Sequence, residues 1–434
     1  MNIKDIETQI KILFNYWYEQ KNKQKLDKVR YAGPVLGKEE YSGMLDAIFD
    51  GWWSGGKFTL EAEDKMAKIS DRNHGLFVNS GSSADLILMS AAKELYFKDG
   101  DKILTLACGF PTTVNPIIQN RLVPVFVDID TKDLSLNPDL LQEVLKNDPK
   151  IKGVFFAHTL GFVGDIDRIL NIAREHNVQV FFDCCDAYSS TYNGKPVQAY
   201  GKGATFSFYP AHHCTSGEGG GIVTNDPEFF TVMRSFRSWG RWCASSSCCI
   251  RSVKPELFCP TQKLSKCSEL PEDYAVNYTY EFLGYNLKPL ELQAKILFHQ
   301  LDRLDEFHNI RVKNYNRFYK YFQNKHIPDL KLWELTENVS PFSFPILLPD
   351  NINRKHLMGH LARRGIETRL LFGGNLIKQP AYFKKKEYWE TYGSLENSDK
   401  IMNKFIMLGV SQVNEDHHID KVIQEIDNFI NTNI

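Results

Sequence analysis

The run Val178-Gln179-Val180-Phe181-Phe182-Asp183 is apolar almost throughout and ends on a carboxylate, and Cys184-Cys185-Asp186-Ala187 follows it directly. An apolar run of this length is typical of a β-strand. Similar strand-like runs precede it, with helical patterns between them, at 102–106, 123–128 and 153–157. This alternation predicts an α/β domain with a mostly parallel central sheet, in which ligands bind at the carboxyl ends of the strands.

The last third of the chain has a different pattern. A long helical stretch covers about residues 290–321, and Phe342-Ser343-Phe344-Pro345-Ile346-Leu347-Leu348 is typical of a strand. We therefore predict two domains. The large one covers residues 1–305 and includes an N-terminal helical segment, and a smaller C-terminal α/β domain covers 306–434.

The composition excludes several classes of function. Lys plus Arg number 52 and Asp plus Glu 53 among 434 residues, so the chain has no broad basic field for nucleic acid or an anionic membrane. It contains no apolar run long enough to span a bilayer, and residues 1–6 lack the apolar core of a secretory signal. Nine cysteines, an odd number, favour reduced thiols or metal ligands over a disulfide framework. We expect a cytoplasmic protein.

A turn of small residues precedes an apolar helical pattern in the window from Val78 to Leu86. The backbone N–H groups of Gly81, Ser82 and Ser83 are candidates for holding a phosphate at the start of that helix. Alone, this signal is weak, because such turns begin many helices that bind nothing.

The run Ser207-Phe208-Tyr209-Pro210-Ala211-His212-His213-Cys214-Thr215-Ser216-Gly217-Glu218-Gly219-Gly220 resembles the cofactor-lysine segment of the sugar-nucleotide aminotransferases. Those enzymes use pyridoxal phosphate (PLP), and their motif has Ser-Phe, three variable residues, a lysine and then Gly-Glu-Gly-Gly. Here His212 takes the place of the lysine. An imidazole forms no stable Schiff base but can move a proton near neutral pH, so the resemblance favours elimination over amino transfer. An isolated His-His pair would instead be interpreted as loop or core histidines.

The resemblance covers nearly the whole chain. It is closest to the branch of this family in which histidine replaces the lysine, the PLP-dependent 3-dehydratases that make 3,6-dideoxysugars. It implies the fold type I of PLP-dependent transferases. The other shared stretches are Trp52-Trp53-Ser54-Gly55-Gly56-Lys57-Phe58, Gly109-Phe110-Pro111-Thr112-Thr113-Val114-Asn115-Pro116, His158-Thr159-Leu160-Gly161, Leu283-Gly284-Tyr285-Asn286-Leu287 and Thr368-Arg369-Leu370-Leu371-Phe372-Gly373-Gly374-Asn375-Leu376.

The same resemblance implies a cofactor site. Asp183 is expected to pair with the protonated pyridine nitrogen, which strengthens the ring as an electron sink, and Asp186 to lie near the ring hydroxyl. Phe110 is similar to the aromatic residue that stacks on the ring, and Ser207 to a hydroxyl that binds the phosphate. Asn286 is expected to reach the phosphate from the partner chain of a homodimer. Without the resemblance, the acids would be interpreted as loop carboxylates or helix caps, and Phe110 as core packing.

The implied reaction is removal of the C3 hydroxyl from a nucleotide-linked 4-keto-6-deoxysugar, a hexose or heptose destined for a surface polysaccharide. Pyridoxamine phosphate (PMP), formed from PLP and L-glutamate, is expected to react at the C4 ketone, and His212 to remove a proton so that the hydroxyl leaves. His213, Arg369 and Asn375 are expected to face the sugar nucleotide. An aminotransferase would need a lysine at position 212, and a noncatalytic relative is a third interpretation.

The cysteines bear on how the reaction is completed. One branch of the resembling enzymes uses a 2Fe-2S cluster and a reductase, with a pattern similar to Cys-x57-Cys-x-Cys-x7-Cys. Cys185 and Cys243 keep the first spacing here, but Ser245 stands where the next cysteine would be. Four suitable thiolates are normally required. Cysteines further along the chain could substitute, yet we expect an enzyme that has no cluster and is recharged by glutamate.

Overall fold

The structure is a computed structural model that describes residues 2–21, 28–242, 270–271, 278–325 and 327–433. The strands are β1 (His74–Val78), β2 (Lys102–Leu106), β3 (Val123–Val127), β4 (Ile151–Ala157), β5 (Gln179–Asp183), β6 (Thr191–Tyr192), β7 (Lys195–Pro196), β8 (Gly203–Ser207), β9 (Gly220–Thr224), β10 (Phe344–Leu347), β11 (Thr368–Arg369), β12 (Glu390–Thr391) and β13 (Phe405–Leu408). The helices are α1 (Ile3–Lys21), α2 (Lys38–Asp50), α3 (Lys57–Ile69), α4 (Gly81–Tyr96), α5 (Pro111–Gln119), α6 (Pro138–Asn147), α7 (Ile166–Glu175), α8 (Pro227–Arg237), α9 (Glu291–Gln300), α10 (Leu304–Lys325), α11 (Arg354–Arg363), α12 (Pro380–Phe383), α13 (Glu396–Lys404) and α14 (Asp416–Asn433).

The principal sheet of the described chain has eight strands in the order β1-β9-β8-β5-β4-β2-β3-β12. Strand β9 is antiparallel to both of its neighbours, and the other neighbouring pairs are parallel. The predicted α/β class with a mostly parallel sheet is therefore confirmed. The carboxyl ends of β4, β5 and β8 lie side by side, and this edge is where a ligand site is expected.

The apolar runs seen in the sequence belong to strands that are covered on both faces. Phe155 and Phe181 are fully buried in a cluster with apolar residues of α4 and α8. Their chain neighbours Phe156 and Phe182 are fully buried on the opposite face, in the cluster that contains apolar residues of α3, α6 and α7. Alternate side chains of a strand point to opposite faces, so burial on both faces explains why these runs do not alternate with polar residues.

A second sheet, in the order β10-β13-β11, lies within the segment predicted as the small domain. Each of the two predicted parts of the chain also contributes a segment that pairs with the other part. Strand β12 pairs in parallel with β3 of the principal sheet, while Val29 forms a parallel bridge with Ile366. The division at residue 305 stays a prediction, and helix α10 begins at Leu304 beside it.

None of the described helices is both long and apolar enough to cross a membrane.

Candidate active site

A cavity of about 710 Å³ opens at the carboxyl ends of the parallel strands. Its walls come from the turn before α4, the start of α5 and the loops that follow β4, β5 and β8. Remote segments also contribute, among them residues 30–34 near the N-terminus, Phe342 before β10 and the residues from Arg369, at the end of β11, to Phe372. The cavity thus brings together motifs that lie far apart in the sequence.

The small-residue turn before α4 forms a cradle for an anion. Ser80 caps the helix, and its Oγ accepts a hydrogen bond of 3.1 Å from the Ser83 N–H. The N–H groups of Gly81 and Ser82 donate to no acceptor among the described residues, and both residues line the cavity. A Cβ atom placed on Gly81 would lie 2.6 Å from Cβ of Ser207, so only glycine fits there. Free N–H groups at a helix N-terminus beside a serine hydroxyl suit a phosphate.

Asp183 ends strand β5 with its carboxylate fixed by two donors. Its Oδ2 accepts a hydrogen bond of 2.7 Å from Thr113 Oγ1, and its Oδ1 accepts one of 3.0 Å from the Cys185 N–H. The side chain is buried but borders the cavity. The arrangement presents a fixed carboxylate to a cationic N–H group.

Two neighbouring acids differ from Asp183 in their surroundings. Burial, and then the charge of Asp183, raise the pKa of Asp186 to about 8. The same two causes raise the pKa of Asp85 well above its usual value, and Asp85 Oδ1 accepts a hydrogen bond of 2.6 Å from Thr205 Oγ1. Asp186 is therefore mostly protonated at pH 7 in the free protein, and burial also shifts Asp85 toward its neutral form, while Asp183 accepts hydrogen bonds from two donors.

His212 lies in the loop after β8 with its ring at the cavity wall. The ring packs 5.2 Å, centroid to centroid, from the ring of Phe342, and its Nδ1 is buried 3.8 Å from Asp186 Oδ1. Burial lowers the pKa of His212 to about 4, so the imidazole is neutral at pH 7. A neutral imidazole at the wall of a cavity is suited to accept a proton.

Arg311 of α10 holds the backbone of this loop. Its guanidinium is completely buried and donates to the carbonyl oxygens of His212, at 2.9 Å, and Phe342, at 3.0 Å. Its Nε donates to Gln412 Oε1, and Gln412 Nε2 in turn donates to the carbonyl oxygen of His213. The residue connects the histidine loop to the C-terminal part of the chain, and no local sequence pattern indicates it.

The model of the DegT/DnrJ/EryC1/StrS aminotransferase family matches residues 34–427. The chain belongs to this family. It is 38% identical to the lipopolysaccharide biosynthesis protein RfbH of Salmonella typhimurium, over 93% of this chain and 92% of the relative. It is 33% identical to a dTDP-4-dehydro-2,6-dideoxy-D-glucose 3-dehydratase of Saccharopolyspora spinosa, over 93% and 86%. A solved GDP-4-keto-6-deoxymannose-3-dehydratase with a trapped PLP-glutamate geminal diamine superimposes with a TM-score of 0.80 at 26% identity, covering 92% of this chain and 99% of that one.

Family membership and these structural relatives confirm the expected PLP-dependent transferase fold. The residues of the cavity also fit PLP itself. The cradle at Gly81, Ser82 and Ser207 suits its phosphate, and Asp183 suits its pyridine nitrogen. Phe110, half exposed at the N-cap of α5, offers a ring face within the same cavity.

Several predicted site residues lie outside the cavity lining. The Ser83 N–H donates to Ser80 Oγ in the helix cap. His213 is buried, and its Nε2 lies 3.2 Å from the carbonyl oxygen of Ser340. Asn375 is buried and donates to Asp399, at 2.7 Å. Their predicted contacts stay predictions. By contrast, Arg369 does line the cavity, with its guanidinium 3.8 Å from the carboxylate of Glu367.

Asn286 is exposed and also lies outside the cavity, and its Oδ1 accepts a hydrogen bond of 2.7 Å from Lys288 Nζ. A role that requires the partner chain is compatible with such a position. The predicted contact between Asn286 and the phosphate of a neighbouring protomer stays a prediction.

The cluster ligands are only partly within the described chain. Cys185 lines the cavity, whereas Cys243 lies outside the described residues, as do Ser245 and the cysteines that follow it. Within the described ranges, no group of three or more His, Cys, Asp or Glu side chains could hold a metal ion. The expected absence of a cluster stays a prediction.

Gly81→Ala is expected to weaken PLP binding because the new Cβ atom would collide with Ser207 inside the phosphate cradle. Overpacking of this kind costs about 2 kcal/mol, or roughly thirtyfold in the dissociation constant. An absorbance titration of the apoprotein with PLP measures the effect. Gly359→Ala in α11 is the matched control, since its Cβ atom would meet nothing closer than 3.5 Å. Equal PLP affinity in both variants would show that the cradle does not hold the phosphate.

Proposed function

We propose that this protein is a PLP/PMP-dependent 3-dehydratase of a nucleotide-linked 4-keto-6-deoxysugar, with L-glutamate as amino donor. The observation that carries the proposal is the neutral, buried imidazole of His212 at the cavity wall, in the position that a lysine takes in the resembling aminotransferases. The relatives named as 3-dehydratases support it. So does the glutamate adduct trapped in one of their solved structures.

The residues divide the chemistry between them. When bound, the cofactor supplies an amine for the C4 ketone and a pyridine ring that accepts electrons. Asp183 would pair with the ring nitrogen and favour its protonated form. His212, at the cavity wall with its Nδ1 3.8 Å from Asp186 Oδ1, would remove the proton that must be lost before the C3 hydroxyl can leave. The cradle at Gly81, Ser82 and Ser207 anchors the phosphate and so orients the reacting groups.

Glutamate balances the reaction without a reductase. The sugar loses one oxygen atom, and glutamate becomes 2-oxoglutarate and ammonia, which is an oxidation by two electrons. The absence of lysine at position 212 favours this outcome, because no side-chain amine is there to steer the reaction toward an amino sugar. The product is a 3,6-dideoxy-4-keto sugar nucleotide, and its use in a surface polysaccharide is part of the proposal.

A homodimer is also part of the proposal, and the exposed position of Asn286 outside the lining of its own cavity is compatible with a contact across a dimer interface. The relative named as a lipopolysaccharide biosynthesis protein supports the polysaccharide assignment.

Mass spectrometry of the sugar nucleotide tests the proposed function. The purified protein is incubated with PLP, L-glutamate and GDP- or CDP-linked 4-keto-6-deoxysugars, without a reductase. The expected product is lighter than the substrate by one oxygen atom, and 2-oxoglutarate accumulates with it. An amino sugar would contradict the proposal in favour of an aminotransferase. Turnover that begins only when a reductase is added would favour a cluster held by Cys185 and Cys243.

A further inference from the structure

Arg30 brings a positive charge to the cavity that the proposed mechanism does not use. It is half-buried and lines the cavity together with Tyr31 and Gly33, although it lies about 180 positions before His212 in the chain. A Cβ atom on Gly33 would lie 3.7 Å from one terminal nitrogen of the Arg30 guanidinium, so the guanidinium extends over that glycine.

The backbone around Arg30 is fixed on the C-terminal part of the chain. The Val29 N–H donates to Gly365 O at 3.1 Å, and the Glu367 N–H donates to Val29 O at 3.0 Å. Asn414 Nδ2 donates to the carbonyl oxygen of Arg30 itself, at 2.7 Å. The side chain is therefore presented by an anchored segment and not by a free loop.

The guanidinium of Arg30 has no carboxylate or hydrogen-bond partner among the described residues, and two acids of the surrounding region have partners of their own. Glu367 pairs with Lys28 at 2.7 Å and lies 3.8 Å from Arg369. Asp183 is held by Thr113 and the Cys185 N–H. A half-buried cation without compensation is costly, and its charge is best satisfied by an anionic ligand in the cavity.

We propose that Arg30 binds an anionic oxygen group of the ligand that reacts in this cavity, either a phosphate of the nucleotide or a carboxylate of glutamate. The inference rests on the proposed function. A guanidinium matches both groups, because its planar fork donates two parallel hydrogen bonds to carboxylate or phosphate oxygens. In this role Arg30 contributes to substrate binding and specificity, and it does not transfer a proton.

The test separates the two sources of negative charge. Arg30→Met and Arg30→Lys are compared with wild type and with Arg363→Met, an exposed arginine of α11 that does not line the cavity. One arm follows the absorbance of PLP-loaded protein during reaction with L-glutamate, without sugar. The other measures binding of GDP and CDP to the same protein by calorimetry. PLP affinity and thermal melting are recorded for every variant.

We expect Arg30→Met to weaken either the reaction with L-glutamate or the binding of GDP and CDP by about tenfold or more, and Arg30→Lys to weaken the same measurement less. Arg363→Met should leave both measurements unchanged. Loss confined to the glutamate arm assigns a carboxylate, and loss confined to the nucleotide arm assigns a phosphate. The inference is overturned if Arg30→Met and Arg363→Met give the same glutamate reaction and the same nucleotide binding. It is also overturned if the wild-type protein neither reacts with L-glutamate nor binds GDP or CDP. If the wild-type protein reacts with L-glutamate and binds the nucleotide but removes no oxygen from the sugar, the proposed function is overturned. The role of Arg30 in binding an anionic group would still hold.

Discussion

His212→Asn is expected to abolish most of the dehydration while PLP binding is kept. Asparagine has no basic nitrogen, and the loss of a positioned general base costs about a hundredfold to ten-thousandfold in rate. Single-turnover kinetics with the PMP-loaded protein measure the effect. Because burial lowers the pKa of His212 to about 4, the wild-type base is neutral down to that pH, and the acid limb of kcat/KM should lie below the 6.5 of a free imidazole.

The matched control is His356→Asn, which changes an exposed histidine of α11 in the same way. It should retain the wild-type rate. His212→Asn at full rate and with wild-type pH dependence would remove the general base from the proposed mechanism. Normal PLP binding and melting in His212→Asn distinguish lost catalysis from lost folding.

Asp183→Asn is the second change with a large expected effect. An amide cannot keep a proton on the pyridine nitrogen, although it can still accept the hydrogen bond from Thr113 Oγ1. Loss of one preorganised electrostatic partner costs about a hundredfold to a thousandfold in rate. Single-turnover kinetics measure the rate, and a shifted cofactor absorbance provides a second signature that a merely structural role would not produce.

Asp64→Asn is the control for this variant, since Asp64 is exposed and pairs with Lys68 on the surface of α3. Its rate should match that of wild type. A wild-type rate in Asp183→Asn, with an unshifted cofactor spectrum, would show that another group holds the ring nitrogen.

The central strands and the phosphate turn could be predicted from the sequence. Strands β2 and β5 coincide with apolar runs because both of their faces are buried, and such burial leaves a local signal. The composition of the turn indicates Gly81, Ser82 and Ser83, and the structure shows that the Ser83 N–H is used by the Ser80 cap while Gly81 closely approaches Ser207.

Other features depend on contacts between distant parts of the chain and leave no local pattern. The resemblance implies a substrate contact for His213, and only the fold shows that its ring is buried with Nε2 3.2 Å from the Ser340 carbonyl oxygen, whereas His212 borders the cavity. The connection from Arg311 to the histidine loop spans about 100 positions. Likewise, the predicted helical stretch at 290–321 is divided at Leu301–Arg303, where a short 3-10 segment joins α9 to α10.

The fate of the glutamate nitrogen distinguishes elimination from amino transfer most directly. The protein is incubated with PLP, 15N-labelled L-glutamate and the 4-keto-6-deoxysugar nucleotide, and the label is followed by NMR and mass spectrometry. With His212 as a base and no lysine at its position, the label should appear as free ammonium, in the same amount as the deoxygenated sugar nucleotide. Label retained on C4 of the sugar as an amine would contradict the 3-dehydratase assignment.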